Sequence, residues 1–184
     1  MRLALHGLPG AGKSTFSRLL AEEFALAGTP CLVLRLAEPL YQLQALVHRV
    51  AGRPMADPAV QDGALLNDLA AHLRRINPDS LTGDFAHRVE QARQRHPGAV
   101  LLCDDMRAAD TAALVALDFR LVHVTAPDAL RRERKARRGD LSAGREDHPS
   151  EAPVTVSSEH EVRNGAGLEE LRGAARLLVG QVAG

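Results

Sequence analysis

Nine residues near the start of the chain, Gly7-Leu8-Pro9-Gly10-Ala11-Gly12-Lys13-Ser14-Thr15, restrict its fold more than any others. They fit the pattern G-x-x-x-x-G-K-[ST], with Gly7, Gly12, Lys13 and Ser14 at the fixed positions. The run Leu3-Ala4-Leu5-His6 before them reads as a buried strand, and Phe16, Leu19, Leu20 and Phe24 after them mark one side of a helix. With this chain's composition a chance match is expected about once in a thousand such sequences. Glycines between strand and helix let successive N–H groups turn inward around a polyphosphate, with Gly10, Ala11 and Thr15 completing the cradle. The helix start adds the positive end of its dipole. Lys13 is the charge for the β- and γ-phosphates, and Ser14 is placed to ligate Mg²⁺. Lys13 and Lys135 are the only lysines in a chain that otherwise uses arginine, so a lysine in the loop suggests a requirement. ATP and Mg²⁺ are the expected cofactors.

At 184 residues the chain is expected to be one domain with a substantial core. A formal net charge of zero argues against a generally basic nucleic-acid binder. Cys31 and Cys103 each lie in an apolar run and read as reduced core thiols. No run reaches membrane-spanning length, and the first strand leads directly into the loop without a leader; a cytoplasmic protein with no membrane partner is expected.

Strand and helix patterns alternate. Strands are expected over 31–36, 99–103, 119–125 and 159–163 in addition to the first. Helices are expected over 13–27, 40–50, 61–76, 79–95, 108–117, 128–138 and from 168 onward. This predicts an α/β fold with a mostly parallel sheet. The polar stretch 139–153 reads as a mobile connection.

Asp104 and Asp105 follow Val100-Leu101-Leu102-Cys103, where an acidic residue at a strand end would hold Mg²⁺. One of the pair could instead cap the next helix, and the pattern does not choose between them. Arg107 comes from the same loop. Arg131 to Arg138 carries six cations and reads as a lid whose arginines, Arg134 or Arg138 among them, meet the transferring phosphoryl group; a solvated face or a basic patch are the alternatives. Between the second and third strands Arg53, Arg74 and Arg75 suit an acceptor phosphate.

In these positions the chain resembles the nucleoside monophosphate kinases, most closely the deoxynucleoside monophosphate kinase family of phages and bacteria. The resemblance covers nearly the whole length. Beyond the phosphate loop it rests on Ala37-Glu38-Pro39-Leu40, the helix Leu65 to Arg74, Asp105-Met106-Arg107, His148-Pro149-Ser150-Glu151, and Asn164-Gly165-Ala166-Gly167-Leu168-Glu169-Glu170-Leu171. It implies a P-loop NTPase three-layer fold with a five-stranded parallel sheet in order 2-3-1-4-5. The core would be 1–37, 98–127 and 153–184, with an acceptor-binding insert at 38–97 and a lid at 128–152. It also places Asn164 near the donor adenine and Arg74 at an acceptor-side arginine. Asn67, Ala70-Ala71 and Ala108 depart from the family's Gln, Gly-Thr and aromatic residue, all on the acceptor side. With one Tyr, four Phe and no Trp, Tyr41 and Phe85 are the candidates to stack on an acceptor base.

The expected activity is ATP-dependent phosphorylation of a nucleoside monophosphate to the diphosphate. Lys13, Asp105, Arg107, Arg134 and Arg138 would be catalytic, Glu38, Arg53, Arg74 and Arg107 would bind the acceptor, and Ser14, Asp104 and Asp105 would hold the metal. The partner would be the monophosphate, not nucleic acid, with the chain a monomer or homodimer. Two other activities fit the same residues: a kinase of a hydroxyl acceptor with Glu38 as base, or a nucleotide-dependent switch or ATPase using the basic segment.

Overall fold

Apolar runs become parallel strands where both of their faces can be covered. A computed structural model describes residues 1–57, 60–137, 139–142 and 154–183. It contains β1 (Arg2–His6), β2 (Cys31–Val33), β3 (Val100–Cys103), β4 (Arg120–Thr125) and β5 (His160–Arg163). They form one sheet in the order β2-β3-β1-β4-β5, with every neighbouring pair parallel. The expected fold class and strand order are both present.

Alternation along the central strands divides the core. Leu3, Leu5, Val100, Leu102, Val122 and Val124 face Phe16, Leu19, Leu20 and Phe24 of α1 (Lys13–Leu26) and Leu171, Ala175 and Leu178 of α7 (Leu168–Ala183). On the other side Ala4, Leu101, Cys103 and Leu121 pack with Leu81, Phe85 and Val89 of α4 (Ser80–Arg95) and Leu114 of α5 (Thr111–Ala116). Glu23 is buried against α7, where Arg172 and Arg176 each donate to it at 3.1 Å. That pairing offsets the cost of burying its charge and pins α7 to α1.

Several boundaries differ from expectation for local reasons. β2 ends at Val33 rather than 36: Leu34 N still donates to Leu102 O at 2.8 Å, but the next amides turn to a side chain. Leu36 N and Ala37 N donate to the Asp105 carboxylate at 2.8 and 3.1 Å. α2 (Glu38–Val50) starts two residues early because Pro39 sits in its first turn, where no amide hydrogen is needed. α3 (Gly63–Ile76) starts at Gly63 because Asp62 caps it, accepting from Leu65 N at 3.2 Å. The single helix expected over 108–117 is a 3₁₀ turn at Ala108–Asp110 followed by α5. α6 (Asp128–Arg137) and α7 fall where their patterns place them.

Phe85 is fully buried, with its ring centroid 5.6 Å from that of Phe119. It belongs to the second core and leaves Tyr41 as the aromatic residue over the sheet's C-terminal edge. Phe85→Ala should therefore cost about 3–5 kcal/mol in urea unfolding. A loss below about 1 kcal/mol would place the ring outside the core.

Candidate active site

The phosphate loop emerges from β1 at the C-terminal edge of the sheet and is clamped from above. Gly10 and Gly12 have φ of +81° and +96°, conformations costly for other residues. Both also touch neighbours closely. A Cβ on Gly10 would lie 2.6 Å from the backbone oxygen of Arg131 in α6, and one on Gly12 would collide with the Asn164 amide. Asn164 is buried and donates through Nδ2 to Ala11 O at 2.8 Å. Arg134 donates to Asn164 Oδ1 at 3.1 Å and reaches Gly10 O at 3.5 Å, while Arg131 donates to Pro9 O at 3.1 Å. Lys13 folds back over the loop, its Nζ 2.8 Å from Gly7 O. The N-terminus of α1 has no side-chain cap, so its first N–H groups point to the loop's concave side.

The loop forms one wall of a cavity of about 460 Å³. Gly10, Gly12, Lys13, Ser14 and Thr15 of the loop line it together with Arg134, Leu36, Tyr41, Arg74, Asp104, Asp105 and Arg107. The structure thus brings Lys13, Arg74, Arg107 and Arg134 together, with Lys135 beside them. Arg53 is exposed and outside this lining, and Glu38 is half-buried at the start of α2 without reaching it. Gly7 and Ala11 lie behind the loop, lining a second hollow of about 320 Å³. Arg138 and the His148-to-Glu151 element lie outside the described residues. Of the expected insert, α2 and α3 wall the cavity, whereas α4 contributes only Leu81.

The two aspartates after β3 have different surroundings. Asp105 is engaged by the amides of Leu36 and Ala37 and approached by Cys103 Sγ at 3.5 Å. Burial raises its carboxyl above the usual range, and the charge of Asp104 adds to this against the pull of the two amides. Asp104 is also buried, lines the same cavity as Ser14, and accepts no hydrogen bond among the described residues. A carboxylate and a serine hydroxyl lining one cavity are oxygen donors of the kind that suits Mg²⁺. No cluster of three or more His, Cys, Asp or Glu residues is placed to hold a metal alone among the described residues. A cation that arrives on a polyphosphate needs only one or two protein oxygens.

Three features were not singled out from the sequence. Asp110, at the end of the 3₁₀ turn, accepts from Arg74 Nη2 at 2.8 Å and from Arg107 N at 3.0 Å. An aspartate three residues past an arginine at a helix start is the pattern that could have flagged it. The second feature joins the stretch after α6 to the start of α3. Leu141 N donates to Gln61 O at 2.9 Å, Gly63 N to Ser142 O at 3.1 Å, and Ala64 N to the Ser142 hydroxyl at 2.9 Å. That hydroxyl donates to Asp62 Oδ1 at 2.5 Å, and Asp62 also caps α3 and lies 3.3 Å from His48 Nε2. The Ser142 hydrogen bond, with that from Leu65 N, holds the Asp62 carboxyl below its usual range. Beneath it, buried Gln44 accepts from Asp62 N at 2.7 Å and donates to Val60 O at 3.2 Å. Contacts 80 residues apart leave no local trace in a sequence.

The third feature lies behind the loop. His6 stacks on His123 with centroids 4.7 Å apart, and its Nε2 lies 2.6 Å from Ser158 Oγ. Burial, then the neighbouring His123 and Lys13, push its pKa down to about 4.

No protein-family model and no curated protein matches the chain. Solved structures do match it over essentially its whole length. TT1252 from Thermus thermophilus is 20% identical with a TM-score of 0.57, covering 100% of this chain and 98% of its own. An APS kinase from Mycobacterium tuberculosis, solved with AMPPNP and APS, is 18% identical with a TM-score of 0.57, covering 100% and 97%. A shikimate kinase from Acinetobacter baumannii, solved with shikimate, is 14% identical with a TM-score of 0.53, covering 99% and 92%. The chain has the P-loop kinase fold. No helix among the described residues is long and apolar enough to cross a membrane.

Two outcomes follow. Asp62→Ala should cost about 1–2 kcal/mol in urea unfolding and speed amide hydrogen exchange at both 61–64 and 139–142; faster exchange at only one segment would show them held independently. For His6, the unfolded chain takes up a proton between about pH 6.5 and about pH 4 that the folded chain refuses, so stability falls as pH drops through that window. His6→Gln should remove that part of the slope in urea midpoints measured from pH 7 to 4, and an unchanged slope would refute it.

Proposed function

We propose that the protein transfers the γ-phosphoryl group of ATP to a nucleoside monophosphate, giving the diphosphate. The observation that carries this reading is one cavity lined by both the loop lysine and the guanidinium-bearing residues Arg74 and Arg107. Its volume of about 460 Å³ falls in the range of small-ligand sites. An acceptor phosphate is already ionised near neutral pH, so its oxygen attacks phosphorus without a general base. The bond from phosphorus to the β-bridging oxygen breaks, ADP leaves with the electron pair, and the acceptor oxygen gains the phosphoryl group.

The chain's part is positioning and charge neutralisation. Lys13 meets the β- and γ-phosphates, and Arg107 and Arg134, which line the same cavity, offset the charge of the transferring group. Arg74 holds the acceptor. Mg²⁺ bound to the polyphosphate would offset its charge; the uncommitted carboxylate of Asp104 and the Ser14 hydroxyl support those two as its protein ligands. Asp105 is better read as the support of the 36–37 turn. Tyr41 is the candidate to contact the acceptor base.

A kinase of a hydroxyl acceptor is the second reading, favoured by the APS and shikimate kinases among the similar structures. Glu38 does not line the cavity and Asp104 does, so Asp104 would be its base.

Incubating the protein with ATP, Mg²⁺ and each common or modified nucleoside monophosphate should yield a diphosphate detectable by mass spectrometry. Lys13→Ala should lower kcat by about 10²-fold or more. Phosphate transfer to nucleosides or small alcohols, with none to any monophosphate, would replace the first reading by the second. ATP hydrolysis indifferent to every acceptor would overturn both.

A further inference from the structure

We propose that Asp110 is a positioning residue for acceptor binding: its carboxylate sets the Arg74 guanidinium at the angle from which it meets the acceptor's phosphate. This rests on the reading above and names a residue that reading did not use.

Asp110 is 1% exposed, an environment that a carboxylate tolerates only when its charge is compensated. Its two oxygens are divided between two elements. Oδ1 accepts from Arg74 Nη2, on α3, at 2.8 Å; Oδ2 accepts from the backbone N–H of Arg107, in the loop after β3, at 3.0 Å. The same carboxylate therefore holds both arginines of the acceptor wall, one by its side chain and one by its backbone. Asp110 Oδ1 is the one hydrogen-bond partner of the Arg74 side chain among the described residues. A guanidinium has five N–H donors in a rigid fork, so a single bond to Asp110 fixes its plane and leaves Nε and Nη1 for an anion.

Arg74 lies in the last turn of α3, and its side chain is 23% exposed. A long side chain there has many rotamers, and ordering it on binding would cost affinity. The ion pair removes that cost before the acceptor arrives. It also ties α3 to the loop that carries Asp104, Asp105 and Arg107, so acceptor and metal sites keep their spacing.

A purely structural carboxylate would also hold the 107–110 turn, so the test separates turn from guanidinium. Asp110→Asn keeps an acceptor oxygen for Arg107 N and removes the charge that holds Arg74. We expect the acceptor KM to rise roughly tenfold or more, with the ATP KM within about twofold and the thermal midpoint little changed. Arg74→Lys should raise the acceptor KM in the wild-type background and add little in the Asp110→Asn background. Additive effects of the two substitutions, or an equal rise in both KM values, would overturn the proposal. Failure of the functional reading itself is visible separately, because the wild-type protein would then phosphorylate no monophosphate. In that case amide hydrogen exchange still decides the geometry. Faster exchange in the last turn of α3 in Asp110→Asn, with 107–110 unchanged, supports the pairing; unchanged exchange at α3 overturns it.

Discussion

The side-chain amide of Asn164 holds the rest of the site in register. It lies just past β5, at the opposite edge of the sheet from β2, and its buried Nδ2 donates to the carbonyl of Ala11 within the phosphate loop. Within the loop only the Lys13 ammonium, bonded back to Gly7 O, braces the left-handed glycines from inside. An outside donor and the guanidinium of Arg134 add to that bracing, and both pass through Asn164. The loop's shape thus depends on the order of β1, β4 and β5 in the sheet. It also seats α6 directly on the loop, through Arg131 on Pro9 O and Arg134 on Gly10 O.

On the acceptor side the structural work is done by carboxylates. Asp105 caps the turn between β2 and α2, Asp110 joins α3 to the loop after β3, and Asp62 joins the start of α3 to the stretch after α6. Each is bonded to backbone amides or to an opposite charge, which is the condition for burying such groups. Asp104 differs in being buried without a hydrogen-bond partner among the described residues, in the lining of the cavity that Ser14 shares. Asn67 also lines the cavity with its buried Nδ2 unpartnered among the described residues, so the unmet polar demand of these walls includes a neutral amide as well as that carboxylate.

Much of this was readable in the sequence. Gly7 to Thr15 located the loop because its chemistry needs fixed residue types at fixed spacing, and the strands were readable because burial on both faces demands unbroken apolar runs. Boundaries failed where a side chain replaced backbone pairing, as at the end of β2, where Asp105 takes the amides a longer strand would have used. Phe85 was placed over the acceptor by its scarcity as an aromatic, but its position on α4 turns it into the second core. As residue types Arg53, Arg74 and Arg75 looked equivalent, and only the resemblance singled out Arg74. Only the packing of α2 and α3 sends Arg74 into the cavity and leaves the other two outside it.

By itself, then, the sequence determined the phosphate loop, the parallel α/β plan and the set of cationic and acidic residues from which a site could be built. Those follow from local rules: the period of apolar residues, the steric freedom of glycine and the residue types that phosphate and Mg²⁺ require. Tertiary structure alone decided that Asp105 supports a turn while Asp104 lines the cavity with Ser14, and that the Asp110 carboxylate pairs with Arg74, 36 positions away in the chain. The reason is physical: a carboxylate's role is set by the donors within about 3 Å of it, and here those donors come from distant parts of the chain.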